Sequence, residues 1–222
     1  MSGHAGLGKV LSRWREGVVR VFDIVPAELL ARPPRVGQPV MLGWVDIELR
    51  DGQPVPPRQE PNWQIGRLEE AADNYGQPAL SVDDHLFRAI LPGDAAPPLC
   101  LAGYHMSFLH GLLGGPWDLE PRRLCLYRTG QLFDLGAASG DVTLSGMARH
   151  FVPRPPIGWD APLVVDRVND AVTVLRGLLR ISRLNMLVAL SCTRFAPPPA
   201  SEPFGRMPQW QAMPGSDFHD YE

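Results

Sequence analysis

Proline and glycine set the first constraint on this chain. Twenty-four prolines and 22 glycines are spread through 222 residues. Proline fixes φ and removes a hydrogen-bond donor, and glycine costs backbone entropy inside any regular element. A chain punctuated this densely folds into many short elements joined by turns. With 45% hydrophobic and 20% charged residues it still has the composition of a folded globular chain. At this length it buries a core without disulfide or metal staples.

Periodicity assigns the stretches between the breaks. Leu7, Val10, Leu11, Trp14, Val18, Val21 and Phe22 recur at helical spacing, with Lys9, Arg13, Arg15 and Arg20 on other faces. That predicts an amphipathic helix over 7–22, and Pro26 then opens a helical turn through Leu30. Val45, Ile47 and Leu49 alternate with Asp46, Glu48 and Arg50, predicting a strand over 40–49 that ends on the turn pair Asp51–Gly52. Short helices are expected over 68–75 and, capped by Ser81, over 82–91. The stretch 99–113 is helix or buried strand, its length favouring helix. Apolar runs at 124–127 and 131–135 flank Thr129–Gly130 as a hairpin, and 141–151 reads as helix. The clearest helix covers 164–182 on the stripe Val168, Ala171, Val172, Leu175, Leu178 and Leu179. The run 187–192 reads as a buried strand.

This mixed order predicts an α+β fold: one mixed domain with several short helices and an antiparallel-rich sheet, plus an extended proline-rich C-terminal tail. The boundaries expected are 1–35 for an N-terminal amphipathic helix and turn packing on the core, 36–195 for the core domain, and 196–222 for the tail.

Cys100, Cys125 and Cys192 lie far apart in apolar stretches, with no CxxC or Cys/His spacing. They read as buried free thiols of a reducing, cytoplasmic compartment rather than a disulfide framework or a structural zinc site. No cofactor or metal is expected. The N-terminus has no apolar run of the kind a secretory signal needs. From Ala95 to Trp117 there is no charged residue, yet its apolar centre is only about 15 residues against the roughly 20 of a membrane span. Lys9 is the one lysine among 21 basic residues, a bias of GC-rich, here bacterial, coding.

The C-terminal segment carries the sharpest pattern. Phe204, Met207, Trp210 and Met213 recur at every third residue among prolines. In a polyproline-II strand these four line one face over roughly 28 Å, a spacing suited to docking into a groove on its own domain or on a partner chain, with a disordered tail of accidental spacing as the alternative. A second pattern, Gly103, Ser107, Gly111 and Gly115, gives a helix over 99–113 a face without bulk, which is explained by close packing.

If the chain has an active site, the titratable groups of 99–113 are its first candidates: His105, His110, Tyr104 and Cys100. The two histidines are five apart, unlike a zinc-binding i, i+4 pair, and have no carboxylate beside them in sequence. No GxSxG elbow, Walker loop, HExxH or GxGxxG is present. With net charge −3 there is no overall cationic field for nucleic acid. Such contact is open only through Arg176, Arg180 and Arg183, which share one side of a helix but lack interleaved aromatics. The leading expectation is therefore a non-catalytic subunit or adaptor of a multi-protein bacterial assembly, docking through its tail. The alternative is a small enzyme or ligand-binding protein with a histidine-containing pocket near residues 99–113.

Overall fold

A computed structural model describes residues 14–27, 35–72, 78–91, 97–113, 122–135, 143–153 and 162–192. Its central element is a strand, β1 (Gly17–Pro26), where the described part of 7–22 was expected to be helical. Val18, Val19, Val21, Ile24 and Val25 are β-branched, a class that favours the extended backbone. The strand is buried on both faces, so its apolar residues run almost continuously and the twofold alternation that identifies a half-exposed strand is lost.

β2 (Pro39–Arg50) pairs antiparallel with β1 along its whole length, from Gly17 opposite Leu49 to Pro26 opposite Val40. The turn after it is the expected Asp51–Gly52, both at positive φ (52° and 77°), and leads into the short β3 (Gln53–Pro54). β4 (Asn62–Ala72) pairs with β2 over its first half and with β5 (Pro78–Val82) over its second. β6 (Cys100–Gly103) lies parallel to β1 on its other side, and β7 (Arg122–Cys125) parallel to β6. The sheet order is β5-β4-β2-β1-β6-β7, with β3 paired to β2. The fold is thus a single mixed α+β domain whose sheet is antiparallel on one side of β1 and parallel on the other.

Six helices are described: α1 (Asp84–Ile90), α2 (Met106–Leu113), α3 (Leu126–Leu132), α4 (Leu144–Phe151), α5 (Leu163–Ile181) and α6 (Leu184–Cys192). They cover both sheet faces. On one face α1 and α2 bury Leu86, Ile90, Met106 and Leu109 against Phe22, Leu42 and Leu101. On the other, α3 to α6 bury Leu126, Met147, Leu175 and Leu187 against Val21, Ile47 and Ala102.

Five local expectations are corrected. Residues 68–72 are strand, because β4 continues past β2 to pair Leu68 with Val82. Ser81 lies in β5, and α1 is capped by Asp83, whose Oδ1 accepts from the Leu86 N–H at 2.9 Å. The stretch 99–113 is neither one helix nor one strand, but β6 followed by α2. The hairpin expected around Thr129–Gly130 is β7 followed by α3. Finally, 187–192 is helical: Leu184, Leu187, Val188 and Ser191 are buried at i, i+3, i+4 and i+7 while Met186 is exposed.

α5 matches its predicted stripe and crosses β2 at Gly43. A Cβ there would lie 2.8 Å from Val164 Cγ2 and 3.2 Å from the Val164 carbonyl oxygen. Glycine lets the helix backbone sit directly on the strand, one register position from β1, where Gly43 pairs with Asp23. Phe204, Met207, Trp210 and Met213 lie outside the described residues.

Candidate functional site

The carboxyl ends of β1, β6 and β7 come together at one edge of the molecule. Val21 is level with Ala102, and Gly103 with Cys125, so continuing the register places Asp23, Tyr104 and Leu126 side by side. Beyond this edge the chain leaves β6 into α2 on one face and leaves β7 into α3 on the other. Strand ends whose connections leave to opposite faces are the usual place for ligands beside parallel strands.

Asp23 lies at the base of this edge. It shares the core-facing side of β1 with Val19 and Val21, where the pattern otherwise supplies aliphatic residues. Its Oδ2 accepts from Arg167 Nε at 2.7 Å, and its Oδ1 accepts from the Ile24 N–H at 2.9 Å. The two side chains are 6% and 11% exposed, so this pair is held away from water. α5 delivers Arg167 from 144 residues away, because Gly43 lets its first turns approach the sheet. Burying either charge alone would be costly; together they are electrically neutral.

Above the pair are three rings. Arg167 Cζ lies 6.0 Å from the centroid of Tyr104, whose ring is buried. Tyr104 meets His105 and Tyr127 at centroid distances of 4.4 and 5.4 Å, and His105 meets Tyr127 at 4.7 Å. His105 and Tyr127 are half-buried and form the solvent-facing part of the cluster. The backbone fixes both rings. The His105 carbonyl accepts from the N–H groups of Phe108 and Leu109 at 2.9 and 3.0 Å as α2 begins, and the Tyr127 N–H donates to the Tyr104 carbonyl at 3.0 Å. Gln131 Nε2 donates to the Tyr127 hydroxyl at 2.8 Å. At Gly103 a Cβ would crowd Leu109 and the Phe22 carbonyl, so α2 can fold tightly over the end of β6.

Burial lowers the His105 pKa from 6.5 to about 4; the Asp23 carboxylate works against that shift, and the Arg167 guanidinium adds to it. His105 is therefore a neutral imidazole at pH 7, able both to donate and to accept a hydrogen bond. Burial likewise pushes the Cys125 thiol up; its Sγ donates to the Tyr104 carbonyl at 3.3 Å, and Arg128 stands near enough to offset part of the shift.

Of the residues the sequence singled out, the structure brings Tyr104 and His105 together and leaves Cys100 apart. Cys100 is fully buried at the start of β6, about 13 Å along the strand from Tyr104. His110 lies in α2, but its side chain is outside the described residues. Arg176 is half-buried, with its Nε lacking a hydrogen-bond partner among the described residues, and Arg180 and Arg183 are exposed. Arg176 and Arg180 are roughly 14 and 20 Å down α5 from Arg167. Asp23, Arg167, Tyr127 and Arg128 were not candidates. Asp23 is the one acid within the run from Val18 to Val25, a signal that becomes visible only when the run is taken as a strand. Among the described residues no group of three or more His, Cys, Asp or Glu side chains is placed to hold a metal ion, and no helix is long and apolar enough to cross a membrane.

No family model matches the chain, and no curated protein matches it. In fold it is similar to a solved structure of exonuclease X in complex with 5′ overhanging duplex DNA, at 11% identity and a TM-score of 0.43, over 78% of this chain and 99% of that one. The expectation of a non-catalytic adaptor is corrected on this finding: the neighbour is an enzyme bound to DNA, and the tail on which the adaptor reading relied lies outside the described residues. A likeness this distant carries no argument about what the present chain binds, which is taken from its own residues.

Proposed function

We propose that this chain is a nucleic-acid-related protein that takes an unpaired stretch of a strand at the carboxyl edge of β1, β6 and β7. One observation carries the reading: the half-buried rings of His105 and Tyr127, 4.7 Å apart, sit at the strand ends with Arg128 next in the chain. Every base has a π-face, so a fixed aromatic platform with an arginine beside it suits single-stranded nucleic acid without demanding a particular sequence. A base stacked on the platform would place its phosphodiester near Arg128. Neutral His105 brings no charge into that stack, and is also the group from which acid–base chemistry at this edge would start.

The test is fluorescence anisotropy of a labelled single-stranded oligonucleotide with the full chain. Stacking contributes on the order of 1–3 kcal/mol per base, so His105→Ala and Tyr127→Ala should each weaken binding by about fivefold or more. Trp63→Ala, exposed on β4, should leave it unchanged. Equal affinity in all four proteins, or no binding by the wild type, would sink the reading.

A further inference from the structure

We infer that this edge holds its ligand without a divalent metal ion, the guanidinium of Arg167 standing on Asp23 where a cation would otherwise bind. The inference rests on the ligand site proposed above but concerns a different property of it. A carboxylate recruits a divalent ion when its oxygens face water and further oxygen ligands stand near; magnesium in particular keeps several waters and combines one or two carboxylates with substrate phosphates. Asp23 meets neither condition. Its Oδ2 is engaged by Arg167 at 2.7 Å and its Oδ1 by the Ile24 amide at 2.9 Å, and the residue is 4% exposed. Among the described residues no group of three or more His, Cys, Asp or Glu side chains is placed to hold a metal ion. The neighbouring polar groups, His105 and the hydroxyls of Tyr104 and Tyr127, belong to a ring cluster rather than to an anionic cage.

The pair also fixes the local charge. With Asp23 and Arg167 neutralising each other and His105 uncharged, the base of the site offers no net attraction to a phosphate. The ligand is therefore held chiefly through a planar ring, a nucleobase in the reading above, with Arg128 as the cation beside it. Binding dominated by stacking releases few counterions, so its dependence on salt should be shallow, near that of a single phosphate contact.

Manganese alone is the probe, titrated into the full-length wild type and Asp23→Asn and followed by the electron paramagnetic resonance signal of the free ion. The result expected is no uptake by the wild type that the Asn variant lacks, and no paramagnetic broadening of the His105 ring resonances. Oligonucleotide affinity should also be the same in chelator and in manganese. One ion bound per wild-type chain and absent from Asp23→Asn would overturn the inference. So would broadening at His105 in the wild type, which decides the matter even if Asp23→Asn fails to fold. Because the manganese readout needs no oligonucleotide, its failure leaves the nucleic-acid reading standing. Failure of oligonucleotide binding likewise leaves the manganese result intact.

Discussion

A carboxylate and a guanidinium buried against each other link the first strand to a helix near the end of the chain, and their removal is asymmetric. Arg167→Ala leaves the buried Asp23 carboxyl without its cation in a dry interior, a loss of about 3–5 kcal/mol. Urea unfolding of the variant should show that loss, whereas replacing both partners by apolar residues of similar volume should recover most of it. His105 gives stability a pH dependence of known sign. Its folded pKa, about 4, lies below the ordinary 6.5, so between those values the unfolded chain takes up a proton that the folded chain refuses. Its contribution is therefore complete above about pH 6.5, declines as pH falls, and is exhausted below about pH 4, a total on the order of 3 kcal/mol. Urea titrations at several pH values should show this slope in the wild type and its flattening in His105→Gln. At this scale the sequence was half legible. Tyr104 and His105 stood out as polar rings in an uncharged stretch, but their partners are distant in the chain, and neither local pattern nor spacing connects residue 23 with residue 167.

Elements divide by how much of their surface is covered. β2 and α5 were legible because each keeps one polar face, so alternation or a helical stripe survives: Asp46 and Glu48 are exposed between Val45, Ile47 and Leu49. β1 was misassigned because burial on both faces leaves it apolar nearly all round, and α6 because its exposed positions, Met186 and Ala189, are themselves apolar; a run of such residues carries no period. The segments 99–113 and 122–135 failed for another reason. In each, a four-residue parallel strand passes into a helix with hardly a break, and the polar joint, Tyr104–His105 or Cys125, is too short to stand out. These unmarked joints are where the site is built. Gly43 tests the element scale. A methyl group added there meets Val164 at 2.8 Å and its carbonyl at 3.2 Å, contacts that α5 can relieve only by lifting from β2. Gly43→Ala should cost about 1–3 kcal/mol and lower the thermal midpoint. The same displacement should lengthen the Arg167–Asp23 contact, which a crystal structure of the variant would show directly.

For the whole molecule, two helical layers enclose a sheet that changes character at β1, antiparallel toward β5 and parallel toward β7. The α+β class was legible, since the mixture of elements survives errors in individual ones. The topology was not, because pairing β1 with β6 joins residues about 80 apart that no local signal relates. That pairing matters most for function: it places the end of β1 beside β6 and β7 and so assembles Asp23, Tyr104, His105 and Tyr127 at one edge. The central claim is that a ligand meets this edge on the His105 and Tyr127 rings. The most direct measurement is a titration of aromatic-labelled protein with a single-stranded oligonucleotide in the presence of chelator, followed by carbon–proton NMR of the His and Tyr rings. The His105 and Tyr127 resonances should shift together and saturate together, while Trp63 on the far strand stays still. Ring resonances at His105 and Tyr127 that do not move while those elsewhere do would contradict that claim.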